Sequence, residues 1–339
     1  MRPSRIRVGI VGAGANTKAR HIPGLLAREG VEILSVCNRS RASSEAAAAE
    51  FHIPRTADSW QALVEDSDLD AVLIGTWPCL HAPVTLAAVA AGKHVLCEAR
   101  MAMNLSEARR MLEASQARPE LVTMVVPSPF TFPWDRTIQR LLRDGALGEL
   151  LQVDVFANCS GFLQPDRPMN WRDDRELSGL NTQMLGIYYE AMMRWTGPAA
   201  VRAARARNVV PRRKDAAGVL REQLIPDHLE VMGEFPNGAG LFLRCSQVTG
   251  ACPTPNDFVL YGSEGTLRLD LSAGRLSLSA PGAAAREVIP SDEERGSWRV
   301  EEEFIRAIRG QEPVTHTTFA DGVRYMEFTE AVAKAAGYA

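Results

Sequence analysis

Two short stretches carry residue types that could do chemistry. The first, Gly12-Ala13-Gly14-Ala15-Asn16-Thr17, follows the apolar run "IRVGIV". A glycine at 12 permits a tight turn, and one at 14 lets a pyrophosphate approach the start of a helix. The third glycine of the dinucleotide fingerprint is missing, since Thr17 or Lys18 stands there. A bare Gly-x-Gly also fits a plain strand-to-helix turn, so context must decide. The second stretch is "HVLCEARMAMN", His94 to Asn104. Its apolar run stops at Cys97-Glu98 and then offers Ala99 and Arg100. In open α/β sheets, ligands gather at the carboxyl ends of strands.

These residues need elements to position them. "IRVGIV", "VEILSVCN", "DAVLIGT", "HVLCE" and "LVTMVV" read as strands. Between them lie a helix from about Thr17 to Glu29, then "RASSEAAAAEF", "HAPVTLAAVAAGK" and "LSEARRMLEASQA". Strands alternating with helices predict a doubly wound parallel sheet, a Rossmann arrangement over residues 1–126. After the second strand come Asn38 and Arg39, with no carboxylate for a ribose 2′-hydroxyl. Arg39 suits a 2′-phosphate, which points to NADP over NAD; a solvated surface arginine is the alternative.

At "VPSPFTFPW" the rhythm breaks. After the helix "DRTIQRLLRDG" the texture becomes "GELLQVDVFA", "VRAARARNVV", "DHLEVMGEF", "AGLFLRCSQV", "DFVLYG" and "TLRLDL", separated by turn signals. This predicts a second domain, residues 127–339, of α+β class on an open, mostly antiparallel sheet. Helices at "SWRVEEEFIRAIRG" and "FADGVRYMEFTEAVAKAAG" close the chain.

The bulk numbers exclude some classes. The 339 residues are 46% hydrophobic and 23% charged, enough for two real cores. A net charge of −3 gives no basic field for nucleic acid. No apolar run approaches the roughly 18 residues of a membrane span. The six cysteines show no metal spacing, so no metal is expected, and they read as reduced thiols of a cytoplasmic protein. The opening "MRPSRIRVGI" has no signal-peptide core.

The chain resembles the glucose-fructose oxidoreductase and inositol dehydrogenase family, Gfo/Idh/MocA, over nearly its whole length. The resemblance rests on "IRVGIVGAG", "HIPGLL", "LHAPVTLAAVAAGKHVLCE", "LLRDGALGELLQVDV", "LYGSEGTLRLD" and "EEEFIRAIRGQEPV". It implies hydride transfer between a nicotinamide and a sugar, polyol or related carbon. It also implies that the second sheet serves as an oligomer interface. The family pattern reads Glu-Lys-Pro where this chain reads Glu98-Ala99-Arg100. A second pattern, aligned on Gly186, places Met184 at the family's Asp and Tyr188 at its His.

Removing a hydroxyl proton requires a base within reach and of suitable pKa. Alanine and methionine cannot serve. A tyrosine can, if a nearby cation lowers its pKa from about 10. Tyr188 is therefore the expected acid/base, with core packing as the alternative reading, and Tyr189 is the runner-up and a substrate contact. Arg100, always protonated, is the accompanying cation or an anion-binding group. Trp171-Arg172 match a common family pair and are expected to hold a sugar-like, possibly anionic substrate. The expected cofactor contacts are Gly12, Gly14, Ala15, Asn16 and Thr17 on the first loop, with Asn38 and Arg39. Thr76, Trp77, Pro78, His81 and Glu98 join them from later strand ends, though His81 also fits a structural role. Asp173 and Asp174 are expected in solvent, as is the basic run "VPRRKD". Asp227 and His228, adjacent on a strand, point to opposite faces and form no dyad.

The first reading is thus an NAD(P)-dependent oxidoreductase with an altered acid/base set. A variant oxidises a ring carbon transiently and eliminates a leaving group, with no net redox change. A non-catalytic nucleotide or sugar sensor is the reading from another class.

Overall fold

The computed structural model describes residues 5–252 and 256–339; the first four residues of "MRPSRIRVGI" lie outside the described residues. Two compact units form, Met1–Pro127 with Arg299–Met326, and Ser128–Trp298 with Glu327–Ala339.

The first unit is a six-stranded sheet of β1 (Ile6–Val11), β2 (Val31–Cys37), β3 (Arg55–Thr56), β4 (Ala71–Ile74), β5 (His94–Cys97) and β6 (Thr123–Val125). The order is β3-β2-β1-β4-β5-β6 and every pairing is parallel. Crossovers cover both faces of such a sheet, which is why "AVLI" of β4 is buried at all four positions. A π-helical turn, Thr17–His21, runs into α1 (Ile22–Leu26). Then come α2 (Arg41–Phe51), α3 (Trp60–Glu65), α4 (Pro78–Ala90) and α5 (Leu105–Gln116). Caps mark the starts: the Ser40 hydroxyl accepts from Ser43 N–H, and Asn104 Oδ1 accepts from Glu107 N–H at 2.9 Å. Strand order reverses between β1 and β4, so a crevice opens there at the carboxyl ends.

The second unit carries α6 (Asp135–Arg143), β7 (Leu150–Asn158), α7 (Arg175–Ser178) and α8 (Leu185–Thr196). It continues with β8 (Ala200–Arg207), β9 (Arg212–Lys214), β10 (Leu220–Glu222), β11 (His228–Glu234), β12 (Gly240–Ser246), β13 (Asn256–Gly262), β14 (Thr266–Asp270), β15 (Arg275–Ser279) and β16 (Arg286–Glu287). Eight strands make the sheet β16-β15-β14-β13-β7-β12-β11-β8, antiparallel except for the β7–β12 pair. Val153, Val155 and Ala157 of β7 face the core with Leu241, Leu243 and Cys245 of β12. The other face presents Phe156, Met232, Phe242 and Tyr261 among charged side chains.

An ion cluster locks α6 to α8. Arg194 donates to Glu190 Oε2 at 2.6 Å and Asp135 Oδ2 at 2.8 Å, and Trp195 Nε1–H reaches Asp135 Oδ1 at 2.7 Å. All three charged side chains are buried, and the two carboxylates hold the guanidinium firmly cationic. Removing the cation would strand two buried carboxylates. Arg194→Met is expected to cost about 3–5 kcal/mol of unfolding free energy, measured in denaturant. A loss below about 1 kcal/mol would show the cluster to be dispensable.

The chain then returns to the first unit with α9 (Val300–Ile308) and the start of α10 (Phe319–Ala335). Thr317 exchanges backbone hydrogen bonds with Val125, the last residue of β6, and the Tyr325 hydroxyl accepts from Met101 N–H. Residues 299–326 therefore build the unit whose strands ended near residue 125, against an expected split at 126/127. Sequence proximity had assigned them to the second domain; long-range pairing assigns them here.

Other expectations also change. The first helix ends at Leu26, because Arg28 N–H bonds back to Leu25 and Gly30, at φ +70°, turns the chain into β2. Short β3, β9, β10 and β16 carry no alternation and exist only through their partners. Arg213 of "VPRRKD" is fully buried, donating to the carbonyls of Gln164 and Phe162. Asp173 is also buried, accepting from Arg167 at 2.8 Å and Asn170 N–H at 2.9 Å. Both were expected in solvent; loop closure around residues 162–173 buries them. Asp227 accepts from Val209 and Val210 N–H, while His228 Nδ1 lies 2.9 Å from Ser246 Oγ, each in separate surroundings.

Candidate functional site

The glycine loop sits at the carboxyl end of β1. Gly12 has φ +91°, and a Cβ there would come within 2.8 Å of Thr76 N. A side chain at Gly75 would collide with Thr17 Oγ1 and the Gly12 carbonyl. The two glycines let the first loop and the β4 end touch backbone to backbone. Gly14 is different: its φ lies outside the left-handed region, and a Cβ would meet only Gly75 O at 3.5 Å, an ordinary contact. The protein's own packing places little demand on glycine at 14, yet the loop is bare and exposed there, with Ala15 and Asn16 beside it. That is the shape a pyrophosphate requires.

Asn38 secures the loop. Its Oδ1 accepts from Ala13 N–H at 2.6 Å and its Nδ2 donates to Ser43 O at 2.8 Å. The exposed Arg39 guanidinium lies 5.5 Å from the Trp77 ring centre, within cation–π range. The β2 and β4 ends thus meet across the crevice. Thr76 donates to Trp77 O at 3.2 Å, and Pro78 is buried at the start of α4.

Two expected cofactor contacts are corrected. Thr17 is buried, and its hydroxyl donates to the Gly12 carbonyl at 3.1 Å, so it shapes the loop from behind. His81 is fully buried, with ring nitrogens 2.8 Å from Arg100 O and 3.0 Å from Thr76 O. It ties the ends of β4 and β5, and burial pushes its pKa down. Neither offers surface to a ligand.

Glu98 follows β5 with both oxygens fixed. Oε1 accepts from Asn16 Nδ2–H and lies 3.0 Å from His21 Nε2; Oε2 accepts from Ala99 N–H at 2.9 Å. Arg100, two residues on, is buried at 4% exposed. His21, Gly75 and Glu301 were not singled out from sequence. All three lie inside quoted stretches, "HIPGLL", "DAVLIGT" and "EEEFIRAIRGQEPV", but nothing local marked them as site residues.

In the second unit, Tyr188 is buried, stacked 5.4 Å from Phe258, and donates to Asn256 Oδ1 at 2.8 Å. Burial pushes its phenol well above the ordinary value, with nearby Cys245, Cys159 and Asp257 acting in the same direction. The expected lowering by a cation is therefore corrected: the phenol is held protonated. Tyr189 stacks 3.6 Å from Phe328 and closes its hydroxyl against Ala199, accepting N–H at 2.9 Å and facing O at 3.4 Å. Its pKa is pushed up to about 12, and its position is that of a core residue instead of a substrate contact. Arg172 stacks over Trp171 at 4.1 Å on a partly exposed loop.

A parallel sheet with this loop at its switch point, joined to an open-sheet unit, defines a Rossmann protein of the dinucleotide-binding class. Residues 6–125 match the oxidoreductase family with NAD-binding Rossmann fold, and residues 136–268 match the GFO/IDH/MocA C-terminal domain. The chain belongs to the Gfo/Idh/MocA oxidoreductase family. It is 28% identical over 328 residues to the uncharacterized oxidoreductase ORF334 of Rhizobium meliloti, covering 91% of this chain and 90% of that one. It is 41% identical over 168 residues to 1,5-anhydro-D-fructose reductase of Ensifer adhaerens, covering 49% of each. Among solved structures, a levoglucosan dehydrogenase with NADH and levoglucosan superposes with a TM-score of 0.84 at 22% identity, over 98% of this chain and 97% of that one.

Proposed function

We propose that the protein reduces or oxidises a sugar-like substrate with a nicotinamide cofactor held on the first unit. The observation that carries this is Gly14: a bare, exposed position that the chain's own packing leaves open, set at the switch point. The names of the sugar-acting relatives support the substrate class. The cofactor would supply or accept the hydride. The chain's residues do the rest. Gly12 to Asn16 take the pyrophosphate, and Arg39 with Trp77 take the adenosine end. Arg100 supplies a permanent cation, and Trp171 and Arg172 bind hydroxyl or anionic groups of the substrate.

Tyr188 acts as proton donor. Its phenol stays protonated through neutral pH and lends its O–H to Asn256 Oδ1, so it can act as a donor and not as a base. The outer face of the eight-stranded sheet, with Phe156, Met232, Phe242 and Tyr261, is the proposed contact between copies of the chain.

Titration of NADH and NADPH into the full chain, followed by turnover on a panel of sugars and their keto forms, tests the reading. Uptake of neither coenzyme overturns it. Product formed with no net change in coenzyme redox state would replace it with the eliminating reaction.

Arg39 decides between coenzymes. Arg39→Ser is expected to weaken NADPH by about 10–100-fold, the worth of a charged hydrogen bond, while NADH changes little. Equal losses for both coenzymes would make Arg39 a general adenosine contact with no preference for the 2′-phosphate.

A further inference from the structure

Glu98 does not stand alone at the β5 end. His21, in the π-helical turn, lies between two carboxylates: Nε2 is 3.0 Å from Glu98 Oε1 and Nδ1 is 2.6 Å from Glu301 Oε1. Glu301 comes from α9, 280 residues along the chain. The histidine is fully buried, the Glu301 side chain is nearly so, and the Glu98 side chain keeps a small exposed part. Both ring nitrogens face carboxylate oxygens, so both are placed to donate, which only the imidazolium can do. Gly24 of α1 makes the room: a Cβ there would sit 2.6 Å from Glu301 Oε2. Asn16, from the glycine loop, completes the set as a neutral donor to Glu98.

Desolvating three charges is costly, and apolar packing would serve stability as well or better. The arrangement gives something else: a carboxylate whose two oxygens are fixed and whose charge is defined. The β2 end takes the adenosine half of a dinucleotide, so β5, on the far side of the switch point, borders the nicotinamide half.

We propose that His21 is a positioning residue which, as an imidazolium shared by Glu301 and Glu98, fixes the Glu98 carboxylate beside the nicotinamide. This rests on the oxidoreductase reading above. With two carboxylates and one imidazolium the cluster carries a net single negative charge. That charge favours the cationic oxidised ring over the neutral reduced one. The carboxylates facing His21 from the β5 end and from α9 push its pKa up to about 9 against the opposing effect of burial, and His21 in turn holds Glu98 below its ordinary value. Glu98 therefore stays ionised through neutral pH while the imidazolium is present. The clamp loosens as pH rises through about 9 and the ring loses a proton.

The test compares affinities of the full chain for oxidised and reduced coenzyme from pH 6 to 9. In the wild type the ratio is expected to stay flat through neutral pH. In His21→Gln, burial without a cation raises the Glu98 pKa. The ratio then titrates within the neutral range, by about tenfold for loss of one nearby charge. Glu301→Gln, remote from the β5 end, should shift it in the same direction by less. Nitrogen NMR of the wild-type imidazole reads the protonation without any variant. A ring titrating near 6.5, the unperturbed value, overturns the proposal. So does an unmoved ratio in folded His21→Gln while the wild type binds coenzyme. Absence of coenzyme binding by the wild type overturns the oxidoreductase reading itself, and the positioning role falls with it.

Discussion

Gly75→Ala will lower coenzyme affinity about 100-fold, or ~2.7 kcal/mol, and will lower the melting temperature as well. The added methyl would strike Thr17 Oγ1 and the Gly12 carbonyl. Thr17 could turn away, but the Gly12 carbonyl is backbone and can move only with the loop. Over-packing of this kind costs about 1–3 kcal/mol. The displaced atoms are those that must meet the pyrophosphate, so binding suffers beyond the loss of stability. Gly14→Ala separates the two effects. Its methyl would find only an ordinary contact at 3.5 Å, so stability should hold within about 0.5 kcal/mol. Coenzyme affinity should still fall, because the methyl stands on the surface that the ligand approaches. Calorimetric titration and thermal melts of both variants read these outcomes. A Gly14→Ala protein that binds NADH and NADPH as the wild type does would remove the loop from the site.

Tyr188→Phe will reduce turnover by about 10²–10⁴-fold and leave coenzyme affinity unchanged. The substitution keeps the ring stacked on Phe258 and removes only the hydroxyl that donates to Asn256. The structural cost is about 1 kcal/mol for one hydrogen bond. A large kinetic loss with so small a structural one would mark the phenol as the proton donor. The pH profile offers a second reading. Burial raises this phenol's pKa, so the reduction rate should show no basic limb from it up to its ordinary value near 10. Steady-state kinetics with a reducible sugar would decide. Full activity in Tyr188→Phe would assign the residue to the core, where its neighbour Phe258 already lies.

Both predictions depend on features with different visibility in the sequence. The glycine loop was legible because its meaning is local: a strand, two glycines and a helix start within a dozen residues. The change of texture and the turn signals likewise marked β7, β11, β12, β13 and β14 as strands. The pair Asn38-Arg39 could be placed at the β2 end, but not the contact of Arg39 with Trp77, which joins two strand ends. Tyr188 could be placed on the motif; the direction of its pKa shift could not, because that depends on how many neighbours shut out water.

The residue order by itself determined the two architectures, the parallel sheet with its loop and the open sheet, because periodicity and turn chemistry act over a few residues. Only tertiary structure decided that residues 299–326 complete the first unit, that Arg213 and Asp173 are buried, and that Glu301 meets His21. These are long-range contacts whose partners carry no mutual mark in local spacing. Burial and the electric field of distant charges arise only when the chain has closed on itself.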